Sequence, residues 1–403
     1  MAAATERRWA KTYPWLGEGP VPTESCISPA AYHTEINTIF TKVWLCLGRI
    51  EEFPEPGSYK LKRLDFASTS ALVIRGRDGV IRAFHNTCSH RGNTVVVPEG
   101  EWDQTGRKSA FTCRFHAWTY SDQGELVGIQ DPEGMPPCFE RKENGLTAIA
   151  CELWEGFVFI NLDSHPKTSL AEFLGEMGRH FAGYPYHTLT HNFTYYTTLN
   201  CNWKIGVDAF AEAYHVTTIH AGSFPGTFST GLQMVKLLGD HRTTAVCFDP
   251  PCESPPVARL AQTKARGSLV NNVRENSLPP TLNDERREDY AFELSVFFPN
   301  WLLHVAEGIW FTHQFWPLGP DRCRWEGKYY VRRPRTHSER WALEHAIALQ
   351  RNAWLEDTGT MEGTYYALRS GAKPSMHLHD EEVLVRHGYH VLDKYCKRPE
   401  HRA

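Results

Sequence analysis

The sequence predicts an α+β protein in two parts. A small antiparallel β-domain precedes a larger domain that combines helices with strands. Three observations carry this. Between residues 45 and 163, short apolar runs alternate with turn residues. Helical spacing marks 168–185 and 202–215, strands return at 292–332, and a two-faced helix follows at 337–369. The 403-residue length is a prior for two or three domains rather than one.

Composition narrows the function classes. A hydrophobic fraction of 41% and a charged fraction of 22% exclude global disorder and a coiled-coil rod. The net charge of -4 gives no reason to expect nucleic acid or an anionic membrane as partner. The 11 Cys are scattered rather than packed into a short disulfide scaffold, and there are 20 His against 6 Met. No apolar run at the start has signal-peptide length, and none approaches a membrane span. The expectation is a cytoplasmic protein with reduced thiols, some of which, with His, bind metal.

In chain order, residues 1–30 hold Pro14, Pro20, Pro22 and Pro29 and read as an arm without regular structure. Tyr32, Ile36, Ile39, Phe40 and Val43 give 30–44 a helical face. Strands are expected at 70–75, 80–84, 110–113 and 156–162, and a helix at 168–185. Residues 202–215 read as another helix. The Pro-, Arg- and Asn-rich stretch 250–290 reads as a long loop, of the kind that often serves as a lid. Ile309–Trp316 and Cys323–Val331 flank Pro317-Leu-Gly-Pro320 as a hairpin.

The strongest chemical signal lies in the β-domain. One loop carries Cys88-Ser-His90-Arg91-Gly92 and another Cys113-Arg-Phe-His116. Each supplies one thiolate and one imidazole. Zinc fingers usually pair like with like at fixed spacings. The mixed pairing suits a Rieske [2Fe–2S] centre, in which two Cys hold one iron and two His the other. Zinc, and plain coincidence in a His-rich chain, are the competing readings.

With these residues the sequence resembles the oxygenase large (alpha) subunits of Rieske non-haem iron oxygenases, the aromatic-ring-hydroxylating dioxygenase family, from about residue 30 to 370. Arg91-Gly92 and Ala117-Trp118 also fit that pattern. Respiratory Rieske proteins carry an extra Cys in each loop, and neither loop has one here. One departure is the long insert between Arg91 and Thr112, whose polar stretch Pro98–Ser109 is expected to form a surface excursion near the cluster and to affect donor docking.

A second constellation is Glu212-Ala-Tyr-His215-Val-Thr-Thr-Ile-His220. On a continuous helix Glu212 and His215 share a face, with Asp208 along the same stripe. His220 lies five residues past His215, a rotation of roughly 140°. Both imidazoles reach one metal only if the helix loosens between them, and the β-branched run Val216–Ile219 is a reason to expect its end there. A 2-His-1-carboxylate triad needs one acid more. The resemblance takes it from the acid-rich stretch Trp354-Leu-Glu356-Asp357, with Asp357 in the ligand place and Glu356 as its competitor. It also puts Glu212 where the family has a carboxylate that bridges a neighbour's Rieske His to an iron-ligating His. Asp208 remains a candidate for supporting that shell.

The resemblance implies domains at 45–165 (Rieske) and 166–403 (catalytic), the latter a helix-grip (START-like) fold, with 1–44 as an arm and helix packing on it. It implies a [2Fe–2S] Rieske cluster held by Cys88, His90, Cys113 and His116, and a mononuclear Fe(II) held by His215, His220 and Asp357. Electrons come from NAD(P)H through a reductase, with or without a ferredoxin. The expected assembly is a homotrimer, with or without a small β subunit. The expected reaction is O2-dependent hydroxylation, in particular cis-dihydroxylation, of an aromatic or polycyclic substrate. The alternative is N- or O-demethylation or attack on a quaternary amine. Phe210, Val216, Trp301, Trp310, His313 and Phe315 are the expected pocket lining. An electron carrier with only the cluster and a zinc protein remain as other classes.

Overall fold

Alternation of apolar residues with turns produces ten strands among the described residues of Ile39–Phe173, one of two units into which the chain divides. They are β1 (Leu45–Arg49), β2 (Ser58–Leu64), β3 (Thr69–Arg75), β4 (Ile81–His85), β5 (Gln104–Arg107), β6 (Phe111–Thr112), β7 (Thr119–Tyr120), β8 (Leu126–Gly128), β9 (Ala148–Trp154) and β10 (Phe157–Asn161). The computed structural model describes residues 8–100, 102–224, 227–248, 256–257, 260–261 and 278–397. Seven strands form an antiparallel sheet in the order β1-β10-β9-β4-β3-β2-β5, and β6-β7-β8 form a smaller one. Leu61, Leu72, Ile74, Phe84, Phe111 and Tyr120 build a core that also contains Cys88 and Cys113.

The stretch 98–109 is not the free excursion expected from its polarity. Its Gln104–Arg107 pairs with Ser58–Leu61 as an edge strand. Pairing satisfies backbone groups on β2 that would otherwise need water. Asp103 beside it meets the fully buried Lys62 ammonium at 3.0 Å.

The second unit gathers the N-terminal segment up to Thr38 and the chain from Leu174 onward. Beside the short pair Val21–Pro22 and Ser375–Met376, its strands among the described residues are β11 (His191–Leu199), β12 (Gln233–Leu238), β13 (His241–Cys247), β14 (Tyr290–Phe297), β15 (Trp301–Ala306), β16 (Ile309–Gly319) and β17 (Arg322–Val331). These seven form one antiparallel sheet in the order β11-β17-β16-β15-β14-β13-β12. The main α-helices among the described residues are α1 (Arg8–Thr12), α2 (Glu24–Ile27), α3 (Pro29–Glu35), α4 (Leu170–Phe181, which starts in the other unit), α5 (Trp203–Ala209), α6 (Val216–Ile219), α7 (His337–Leu368) and α8 (Val383–Cys396). Caps set several starts: Asn202 accepts from the Lys204 N–H at 3.1 Å, and Thr336 from the Glu339 N–H at 3.1 Å. α5 packs on α7 and on β16. Gly206 permits this, because a Cβ there would lie 2.3 Å from the Phe315 ring.

Two expectations change, and one falls mostly outside the described residues. Residues 8–30 carry short helices rather than an irregular arm, because Asp380 accepts from the N–H groups of Arg8, Trp9 and Ala10 at 2.9–3.0 Å. The helix expected at 202–215 stops at Ala209, where Phe210 leaves the helical region at φ -104°, ψ 8°. The 250–290 loop lies mostly outside the described residues; 278–289 form turns leading into β14. Helix α8 had no counterpart in the sequence reading. No helix among the described residues is long and apolar enough to cross a membrane.

Candidate metal centres

The two Cys/His loops of the first unit have the same local geometry. The Gly92 N–H donates to the Cys88 carbonyl at 2.9 Å, and the Ala117 N–H to the Cys113 carbonyl at 3.0 Å. Both Gly92 and Ala117 have positive φ, +76° and +55°. Ala117 holds this left-handed conformation at a cost of about 1 kcal/mol, which the tight turn imposes. The turns bring His90 and His116 together, ring centroids 4.6 Å apart, and Trp118 stacks on His90 at 4.7 Å. Cys88 and Cys113 are buried, with the Tyr120 hydroxyl 3.1 Å from Cys88 Sγ and Asn93 Nδ2 3.7 Å from Cys113 Sγ. Burial opposes a thiolate at Cys113, but backbone N–H groups of Phe115 and His116 with the Cys88 and Asn93 side chains outweigh it, and its pKa falls. His116 Nδ1 is buried with no protein partner. Two thiols, two adjoining imidazoles and an orphaned ring nitrogen fit a cluster with mixed Cys and His ligation.

In the second unit the chain leaves α5 at Phe210 and crosses an irregular stretch to His215, before the short helix α6. Glu212 and His215 therefore meet across a turn rather than along a helix face. The β-branched run Val216–Ile219, expected to end a helix, is itself the helical turn. This break swings His215 and His220 toward one point. His215 Nε2 lies 3.5 Å and His220 Nε2 3.2 Å from Asp357 Oδ1, and one donor atom from each of the three falls within 4.8 Å of the others. Asp357 sits in the buried stripe of α7 between Trp354 and Met361.

Each imidazole is held from behind. His215 Nδ1 bonds to Glu212 Oε1, whose other oxygen accepts from the N–H groups of Tyr214 and His215. His220 Nδ1 bonds to Glu356 Oε2 at 2.8 Å, and Ser223 Oγ donates to Glu356 Oε1 at 2.9 Å. A proton on each Nδ1 leaves each Nε2 lone pair aimed at the common point. Burial lowers the His220 pKa, but Asp357 and Glu356 outweigh this and raise it. The set fits a single divalent metal bound by two nitrogens and one carboxylate.

The triad opens into a cavity of about 420 Å³. Phe210, Phe224, Phe228, Phe292, Phe311 and Trp354 supply its aromatic walls, with Val216 and His313 also lining it. Trp301, Trp310 and Phe315, expected there, are not among its lining residues. β-strand alternation turns Trp310 away, to stack on Tyr330 at 3.6 Å, while Phe315 lies under Gly206. Asp208 is also absent from the lining. It accepts from the Tyr389 hydroxyl at 2.7 Å, and burial pushes its pKa up to about 7. The sequence reading passed over Glu356 as a support for His220, and over His304 in the cavity wall. For Glu356 the signal was its place beside the buried stripe of α7.

The chain matches the family described as "Ring hydroxylating alpha subunit (catalytic domain)" over residues 180–398, and the "Rieske [2Fe-2S] domain" over 43–140. It is 31% identical over 210 residues to the carnitine monooxygenase oxygenase subunit of Escherichia coli (strain K12), covering 50% of this chain and 54% of that one. The match thus spans about half the length of that curated relative. A crystal structure of a quaternary ammonium Rieske monooxygenase shares the fold, with TM-score 0.73 and 19% identity over 97% of this chain and 99% of that one. Naphthalene 1,2-dioxygenase from Rhodococcus sp. does so with TM-score 0.72 and 21% identity over 98% and 99%. The chain therefore belongs to the Rieske non-haem iron oxygenase alpha subunits, with a Rieske domain preceding a ring-hydroxylating catalytic domain, and its cofactors are a Rieske [2Fe–2S] cluster and a mononuclear iron.

Proposed function

We propose that the protein is a terminal oxygenase that uses electrons from NAD(P)H, delivered by a reductase with or without a ferredoxin, to oxygenate a small organic molecule beside the triad. The observation that supports this best is the convergence of His215, His220 and Asp357 on one point that opens into an aromatic cavity. In this reading Cys88 and Cys113 hold one iron of the cluster and His90 and His116 the other, and the triad holds Fe(II). When bound, these groups supply one-electron delivery and O2 activation.

The chain's own residues do the rest. Glu212 and Glu356 fix the imidazole tautomers and orient both rings. Asp357 supplies the charge that offsets the metal's. The apolar wall excludes bulk water from the reacting carbon. Glu212 further serves as the bridge to a Rieske His of a neighbouring subunit in a head-to-tail trimer. Asp208 supports this shell only at a distance, as a buried carboxylate on α5 that accepts from Tyr389.

Two substrate classes fit. A quaternary amine is favoured by the carnitine monooxygenase relative and by the aromatic box, whose ring faces attract a cation. An aromatic or polycyclic substrate is favoured by the extent of apolar wall, Phe224, Phe228, Phe292 and Phe311 among it. The test is a panel of both classes with NADH, O2 and a surrogate reductase, read by product mass. Hydroxylation of a carbon bonded to nitrogen gives a carbinolamine that breaks to an aldehyde and an amine. Ring cis-dihydroxylation adds two oxygens and two hydrogens. Absence of any oxygenated product from protein loaded with both metals would refute the proposal.

A further inference from the structure

The sheet wall of the cavity holds two imidazoles that the metal chemistry does not use. His304 on β15 and His313 on β16 are 2% and 0% exposed, and both line the cavity. His304 pairs across the strands with Phe311, two residues before His313, so the imidazoles are diagonal neighbours with centroids 5.3 Å apart. His304 stacks on Phe311 at 4.7 Å and His313 on Phe210 at 3.8 Å.

Their hydrogen bonding is incomplete. The Trp325 indole N–H donates to His313 Nδ1 at 3.1 Å. In a neutral ring that places the proton on Nε2, as a donor, and Nε2 has no protein partner. Neither ring nitrogen of His304 has one either. Burial keeps both rings uncharged, with the His304 pKa near 3 and that of His313 well below the usual value. An unpaired polar group buried in an apolar wall is costly, so its retention points to a ligand that completes it.

We infer that His304 and His313 form a polar anchor for the substrate, which carries a hydrogen-bond-accepting oxygen that docks on their ring N–H groups. The inference rests on the oxygenase reading only in calling the ligand a substrate. It separates a functionalised molecule from a bare hydrocarbon, and from a cation that offers no acceptor. Hydroxyl, carbonyl and carboxylate oxygens share the required chemistry. The triad sits on the loop and on α7, so an oxygen held at the sheet orients the rest of the molecule across the cavity.

The test is equilibrium binding to the holoenzyme without reductant, using indane, 1-indanone and indane-1-carboxylate. Calorimetry reads affinity without turnover. The expected result is that at least one oxygenated probe binds about tenfold or more tighter than indane, because indane leaves the imidazoles unpaired. If the ketone ranks first, the acceptor is uncharged; if the carboxylate does, it is anionic; either ranking supports the anchor. His304→Phe and His313→Phe should each narrow the preference, and His313→Gln, which keeps a donor, should retain part of it. Equal affinity of wild type for all three probes overturns the inference, as does an unchanged preference in the folded double Phe variant. The wild-type comparison decides on its own if a variant fails to fold. Failure of the oxygenase reading shows separately, as absence of product with the preference intact.

Discussion

Replacing Glu356 with Ala should weaken the mononuclear iron site without emptying it. Glu356 bonds His220 Nδ1 at 2.8 Å and is itself held by Ser223 at 2.9 Å, while Asp357 presents its oxygen to both imidazoles. Loss of a carboxylate that orients a ligating His typically costs 10- to 100-fold in metal affinity, about 1.4–2.7 kcal/mol. Asp357→Ala removes one of three donors and should cost more than that range, about 100-fold being its lower bound. The assay is competition between the protein and a chelator of known affinity, with Co(II) or anaerobic Fe(II). The visible absorption of the Rieske cluster serves as an internal check, since neither residue belongs to its unit. If Glu356→Ala loses metal as completely as Asp357→Ala, Glu356 is a ligand and the assignment is wrong. If Glu356→Ala binds as tightly as wild type, the hydrogen bond to His220 has no supporting role.

Glu212→Gln should keep both metals yet slow electron transfer from cluster to iron, because it removes the charge behind His215 while leaving its shape. Unchanged single-turnover rates would exclude the bridging role. Gly206→Ala should destabilise by about 1–3 kcal/mol, since the new Cβ meets the Phe315 ring at 2.3 Å; an unshifted denaturant midpoint would count against that packing. Stability should also fall in acid through His304. Its folded pKa of about 3 lies below the unfolded value near 6.5, so the unfolded chain binds the extra proton first. The contribution is complete above pH 6.5 and is lost as pH falls toward 3, reaching about 2 kcal/mol at pH 5. His304→Phe should remove that one-proton slope, and an identical pH dependence of wild type and variant would refute it.

The two centres were legible to different degrees. Cys88, His90, Cys113 and His116 lie on short, turn-bounded loops, so local spacing carried most of the signal. His215 and His220 are legible as a pair, but the β-branched run Val216–Ile219 points to a helix loosened after His215. The break instead precedes it: α5 ends at Ala209 and Phe210 leaves the helical region, so His215 begins a separate helical turn. The choice between Glu356 and Asp357 depends on which falls in the buried stripe of α7. Asp357 lies three residues after Trp354 and four before Met361, all buried, and Glu356 falls beside them.

The sequence by itself determined the two-part α+β organisation, the residue types of both candidate metal sites and the long helix bearing the proposed third ligand. Each depends on contacts within a few residues or on periodicity, which a linear chain displays directly. The tertiary structure decided what faces what. It kept Trp301, Trp310 and Phe315 out of the cavity lining, put Glu356 behind His220, drew Asp208 to Tyr389 and set two buried imidazoles with unpartnered ring nitrogens in the cavity wall. These outcomes depend on strand register and on partners up to 181 residues apart, and no local pattern encodes them.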